Sequence, residues 1–127
     1  MVDITATIAV IEDDPGVRFF LEEAMKVEGY VPVSFVAYED AVPHLSSVDL
    51  IIIDIKLPGM DGLSAVEEIR SRLDTPIIVI TAFGTRKNAL KALEIGATDF
   101  FVKPIVLDEM RIVIRRALAR RTLAKEL

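Results

Sequence analysis

Five short, branched apolar runs, each followed by a stretch of helical periodicity, limit this chain more than any other feature. Thr7–Ile11 reads as a buried strand, and residues 15–28 as a helix closed by Gly29. A second strand spans 31–36, followed by a short helix over 39–45. The run LIII at 50–53 is continuous and branched, the pattern of a parallel strand covered on both faces. Residues 57–62 (LPGMDG) read as a loop, with Asp61 placed to cap a helix reaching Arg72. A fourth strand at 76–81, a helix at 86–95 ending at Gly96, and a fifth strand at Asp99–Val102 follow. A last helix begins near Asp108. Five such βα units imply an α/β fold with a parallel sheet, right-handed crossovers and helices on both faces.

At 127 residues and 52% hydrophobic content, this is one domain with one sizeable core. No apolar run approaches the roughly 20 residues needed to span a bilayer, so no membrane role is expected. The start MVDITATIAV lacks the basic and long apolar regions of a secretory signal. Having no cysteine, the chain has neither disulfides nor thiolate chemistry, and a cytoplasmic location is expected. A net charge of −5 argues against nucleic-acid binding by this domain itself. Residues 111–125 nevertheless carry Arg111, Arg115, Arg116, Arg120, Arg121 and Lys125 without an acid. They read as a solvated helix face complementing its own C-terminal dipole, with a partner or linker surface as the alternative.

In open parallel sheets, ligands bind beyond the carboxyl ends of the strands. The first strand there runs into Glu12, Asp13 and Asp14, where a dinucleotide fold would place glycines to approach a pyrophosphate. Carboxylates repel phosphate and attract a cation instead. The third strand ends at Asp54, and two carboxylates about 4 Å apart repel by roughly 4 kcal/mol at an effective dielectric of 20. Such a cluster holds protons or a cation, and a hard, oxygen-preferring ion such as Mg2+ suits it. The fourth strand ends at Thr81, followed by the small Ala82, and the fifth at Lys103, followed by Pro104. Each residue alone is an ordinary turn or strand-end choice. Together, carboxylates, hydroxyl and ammonium at one edge describe a site for a transferring phosphoryl group and its metal.

The segments VIEDDPGVR at 10–18, IIIDIKLPGMDG at 51–62, VITAFG at 79–84 and GATDFFVKPI at 96–105 resemble, in this order, the receiver domains of bacterial two-component response regulators. That resemblance implies a doubly wound five-stranded parallel sheet of order 2-1-3-4-5, the flavodoxin-like (βα)5 receiver fold. It implies Asp54 as phosphoacceptor, and, counting back from Arg18, Glu12 and Asp13 as the acidic pair, with Asp14 a third acid. Asp13, Asp54 and the backbone carbonyl of Lys56 would ligate Mg2+, with Glu12 acting through water. Thr81 would be the switch hydroxyl, Lys103 the phosphate-binding lysine with a cis bond to Pro104, and Phe100 the aromatic switch. Glu12 stands where Asp is more usual, and Phe100 lacks the hydroxyl of the more usual Tyr, so packing beside Phe101 is its plain alternative. Lys56 and Phe83, each two residues past a site residue, would flank the phosphoryl group and slow its hydrolysis.

The implied partners are a sensor histidine kinase and an output domain or downstream protein, engaged through the fourth helix, fifth strand and fifth helix. A homodimer is also compatible with the resemblance. Residues 119–127 read as the start of a helical linker to an effector, in the manner of nitrogen-regulatory sigma-54-dependent activators. A stand-alone receiver is the alternative. A haloacid-dehalogenase-type phosphatase needs a second carboxylate two residues past its nucleophile, and here that residue is Lys56. A flavin domain needs a Ser/Thr/Gly-rich phosphate loop where this chain is acidic. His44 has no supporting constellation for phosphate donation.

Overall fold

The computed structural model describes residues 5–57, 60–82 and 84–126. Strands β1 (Thr7–Ile11), β2 (Val31–Phe35), β3 (Leu50–Asp54), β4 (Ile77–Thr81) and β5 (Asp99–Val102) form one parallel sheet in the order 2-1-3-4-5. The helices are α1 (Pro15–Val27), α2 (Tyr38–Ala41), α3 (Gly62–Arg70), α4 (Arg86–Glu94) and α5 (Leu107–Glu126). Alternation along the strands divides the core. Ala9, Ile11, Ile51, Ile53, Ile77 and Val79 pack with α2, α3 and α4, whereas Ile8, Val10, Leu50, Ile52, Ile78 and Ile80 pack with α1 and α5. Every residue of β3 and β4 is buried, as expected of strands covered on both faces. Each buried Ile or Val contributes about 1.5–3 kcal/mol over an exposed one, so the central strands anchor the domain. None of the described helices is long and apolar enough to cross a membrane.

Three departures from the sequence expectation have local causes. The helix expected over 39–45 is α2 followed by a 3-10 segment, Val42–Ser47. Pro43 has no N–H for an α-helical bond, so the chain tightens instead. Helix α3 stops two residues before Arg72, because Arg70 turns back to donate to the carbonyls of Leu73 (3.1 Å) and Gly96 (2.9 and 3.1 Å). The segment expected to be a plain loop contains a short antiparallel hairpin, Lys56–Leu57 with Met60–Asp61. It closes on Gly62, whose amide donates to the Ile55 carbonyl at 2.6 Å. A Cβ at Gly62 would run into Ile55 Cα and the Asp54 carbonyl oxygen, so this approach requires glycine.

Candidate functional site

Register places the polar residues. Ile11 pairs with Ile53, so Glu12 and Asp54 emerge at the same level, one step beyond. Asp54 pairs with Ile80, leaving Thr81 one residue further out, and Thr81 pairs with Val102, leaving Lys103 one further again. The ladder continues past the strand ends, with the Glu12 amide donating to Phe35 O (3.0 Å) and the Lys103 amide to Thr81 O (2.8 Å). The Lys103–Pro104 bond is cis, as the family resemblance implied.

The structure brings Glu12, Asp13 and Asp54 together, with one carboxylate oxygen from each lying within 4.8 Å of the others. Glu12, Asp54 and Thr81 are buried, whereas Asp13 is exposed at the mouth. Lys103 Nζ donates to Asp54 Oδ2 at 2.6 Å and lies 2.5 Å from Glu12 Oε1. Asp54 Oδ1 accepts from the Lys56 amide at 2.8 Å. Glu12 Oε1 is enclosed and, apart from its ion pair, accepts no hydrogen bond of good geometry. One ammonium therefore pairs with two carboxylates, with a third, Asp13, beside them. Burial pushes the Glu12 carboxyl up to about 7, with Lys103 opposing the shift and Asp54 reinforcing it. Burial pulls the Lys103 ammonium down, but its bonds to Asp54 and Glu12 outweigh this and hold it above its ordinary value. Two buried carboxylates and an exposed third against one ammonium, all presenting hard oxygens, with Glu12 Oε1 held by its ion pair alone, fit a small divalent cation.

The remaining expected residues fall differently. Asp14 stays outside the cluster and caps α1, accepting from the amides of Gly16 (2.8 Å) and Val17 (3.1 Å). Those bonds, Val17's foremost, hold its carboxyl below its ordinary value. Asp followed by Pro at a helix start was the available signal. Phe100 is half-buried against the α2–α4 side of the core and Phe101 packs on the α1–α5 side, so the two rings lie on opposite faces rather than side by side. Lys56 and Ala82 are exposed, and Phe83 lies outside the described residues. Gly84 lies so close to Val102 that a Cβ would overlap its side chain, which seats the loop after Thr81 against the end of β5. His44 stacks on Phe35, ring centroids 5.3 Å apart. Arg18 donates from Nη1 to the carbonyls of Glu12 (2.9 Å) and Asp13 (3.3 Å).

A doubly wound sheet with acids, a hydroxyl and a lysine at its carboxyl edge defines a class, the phosphate-handling signalling domains of flavodoxin-like topology. Residues 8–115 match the family model described as response regulator receiver domain, and the chain belongs to that family. It is 32% identical over 123 residues to the regulatory protein AtoC of Escherichia coli, covering 94% of this chain and 27% of that protein. It is likewise 32% identical over 128 residues to the transcriptional regulatory protein BaeR of Escherichia coli, covering 96% of this chain and 53% of BaeR. The chain thus spans between about a quarter and a half of these relatives. Among solved structures, the signal receiver domain of a protein described as a Luxo repressor from Vibrio parahaemolyticus superposes with a TM-score of 0.89, at 28% identity and 96% coverage of both chains.

Proposed function

We propose that Asp54 is the residue phosphorylated in this receiver domain, and that the phosphoryl group shifts a surface read by an output domain or separate protein. The observation that carries this reading is Lys103, which bridges Asp54 and Glu12 at an edge where carboxylates outnumber cations. A phosphohistidine on a sensor histidine kinase, or a small donor such as acetyl phosphate, presents phosphorus in line with an Asp54 oxygen. That oxygen attacks, the bond from phosphorus to the donor breaks, and an acyl phosphate forms. Asp13, Asp54 and the Lys56 carbonyl would hold Mg2+, with Glu12 acting through water, and the ion would supply neutralising charge for the phosphoryl oxygens. Lys103 turns from Asp54 to a phosphoryl oxygen, and Ala82 leaves that oxygen room. The Thr81 hydroxyl donates to the new group and draws in residues 82–85, while Phe100 adjusts to the vacated space.

The readout face is α4, β5 and the start of α5, where Leu90, Leu93, Val102, Val106 and Ile112 are exposed. Such a face suits an output domain, a downstream protein or a second copy, and phosphorylation acts through its differential stabilisation of two arrangements. The domain works as a signalling phosphoacceptor that assists its own phosphorylation and dephosphorylation, in the cytoplasm, without itself binding nucleic acid or membrane. Residues 119–127 would lead into a linker to a transcriptional effector of the sigma-54-dependent activator kind, a stand-alone receiver being the alternative. Lys56 and Phe83 slow hydrolysis of the acyl phosphate, and a Lys56→Ala, Phe83→Ala double variant loses the group faster than the parent.

Incubation with Mg2+ and acetyl phosphate or phosphoramidate, followed by intact mass, tests the central reading. A phosphoryl adduct is expected in the parent and none in Asp54→Asn. An adduct that persists in Asp54→Asn refutes the assignment.

A further inference from the structure

The turn that carries Glu12 and Asp13 is held by a long bond from the Asp14 amide to Glu12 Oε2 (3.3 Å) and by the Arg18 amide on the Asp14 carbonyl (2.9 Å). The Glu12 amide is tied to β2 through Phe35 O, and the Asp14 carboxylate turns away to cap α1. Between them, the carbonyls of Glu12 and Asp13 accept from no backbone amide among the bonds that hold the turn. Arg18, one helical turn up α1, reaches back and satisfies both from a single guanidinium nitrogen, at 2.9 and 3.3 Å. Three carboxylates lie within a few residues, yet none among the described residues pairs with Arg18. A guanidinium beside acids normally forks onto a carboxylate. Here one guanidinium nitrogen is committed to two backbone carbonyls, and both acids are left in the cluster with Asp54.

We infer that Arg18 is a positioning residue for the cation site, and this rests on the Mg2+ reading above. Its two carbonyl bonds fix the peptide planes after Glu12 and Asp13, so the carboxylates converge before any ion arrives. The arrangement also withholds Arg18 from the acids, which keeps their charge available to a cation. Two opposing effects follow from removing it. Loss of a nearby fixed positive charge strengthens cation binding, whereas loss of preorganisation weakens it. Outer partners that orient metal ligands typically contribute about 10–100-fold in affinity. Arg18 makes no ion pair with the acids, and both of its hydrogen bonds go to the carbonyls that orient them, so the positioning effect is expected to dominate.

Mg2+ titration by calorimetry, on the parent, Arg18→Ala, Arg18→Lys and Asp13→Asn, tests the inference. Circular dichroism establishes that each protein is folded at the titration temperature. Arg18→Ala is expected to bind Mg2+ about tenfold more weakly, with Arg18→Lys recovering part of the loss through a single donor. At saturating Mg2+, the initial rate of adduct formation from acetyl phosphate in Arg18→Ala returns to that of the parent. Equal or tighter Mg2+ binding by folded Arg18→Ala overturns the inference while leaving Asp54 as phosphoacceptor intact. A parent that binds Mg2+ no better than Asp13→Asn overturns both. A rate that stays depressed at saturation places Arg18 in the chemistry or the fold, and also overturns it.

Discussion

The two ends of the sheet carry similar ingredients to different ends. At the carboxyl edge, Lys103 lies 2.5–2.6 Å from Glu12 and Asp54, both buried, with Asp13 beside them. At the amino edge, Arg121 near the end of α5 lies 4.0 Å from Asp49 and 3.7 Å from Asp74. There Asp49 also accepts from the Thr7 amide at 2.8 Å, and Asp74 is fully exposed. At that lower end Asp49 is bonded to backbone and Asp74 is open to water, while the largely covered Arg121, whose Nε makes no hydrogen bond of good geometry, spans the two at 3.7–4.0 Å, so the arrangement is a loose fastening. At the upper end Glu12 and Asp54 are enclosed and, with the exposed Asp13, outnumber their cation, so the arrangement favours another positive charge. Residue types alone do not make a site; enclosure and imbalance do.

Lys103→Ala separates the two ends most sharply. It should slow adduct formation by about a hundredfold, the scale for removing one preorganised charge at a developing oxyanion, whereas Arg121→Ala leaves the rate unchanged. Timed intact mass measures both, and comparable losses would mean that the lower cluster is coupled to the chemistry. Next in size is the effect of Mg2+ on unfolding. At a hundred times its dissociation constant the ion should stabilise the parent by about 2.7 kcal/mol, and Asp13→Asn by much less. Thermal melts with and without EDTA decide this, and equal shifts in the two proteins would rule out binding through Asp13.

Proton linkage distinguishes the ends again. In ion-free buffer the folded Glu12 carboxyl titrates near 7, above its ordinary 4.5. Between those values the folded state holds a proton that the unfolded chain has lost. This group's contribution is therefore complete below about pH 4.5 and is lost as pH rises through about 7. Urea midpoints at pH 5 and pH 8 in EDTA should show the parent losing more stability on that rise than Glu12→Gln, and parallel behaviour would remove Glu12 as the cause. Asp14 acts in the opposite sense at lower pH, since its depressed carboxyl stabilises until acid protonates it. Smallest is Arg121→Ala, which should cost about 1 kcal/mol in a urea titration, as partly solvated ion pairs do. A loss several times larger would make the clip part of the core rather than a fastening on it.

How much of this was legible beforehand follows from what a one-dimensional pattern can carry. Strand identity and order were legible because alternation and branched runs report burial, and the four motifs report the family. The positions of Glu12, Asp54, Thr81 and Lys103 at one edge followed from where each run stops. The bracing by Arg18 was not legible, because an arginine one turn into a helix gives no sign of whether it seeks carboxylates or carbonyls. Asp14 was read as a third member of the acid group although its neighbour Pro15 marks a helix start. In the basic run over 111–125, Arg115, Arg116 and Arg120 are exposed as a solvated face requires, whereas Arg111 pairs with Glu28 at 3.0 Å and Arg121 is largely covered. Sequence distance concealed those partners. The hairpin at 56–61 escaped because it depends on Gly62 meeting backbone, a contact invisible to side-chain periodicity.

The uniform burial of β3 has a mechanical corollary. Its five residues lie between two packed layers and two hydrogen-bonded neighbours, so opening them requires most of the domain to open. In hydrogen exchange, the β3 amides belong with the slowest in the molecule and those of exposed residues 84–87 with the fastest. A charge added at Asp54 therefore meets a support that cannot yield. The displacement it causes must be taken up at the rim, where the loop after Thr81 rests against Val102 without a side chain at Gly84 to hold it off. Stiffness in the strand and compliance in the loop together set the direction in which a local chemical change travels.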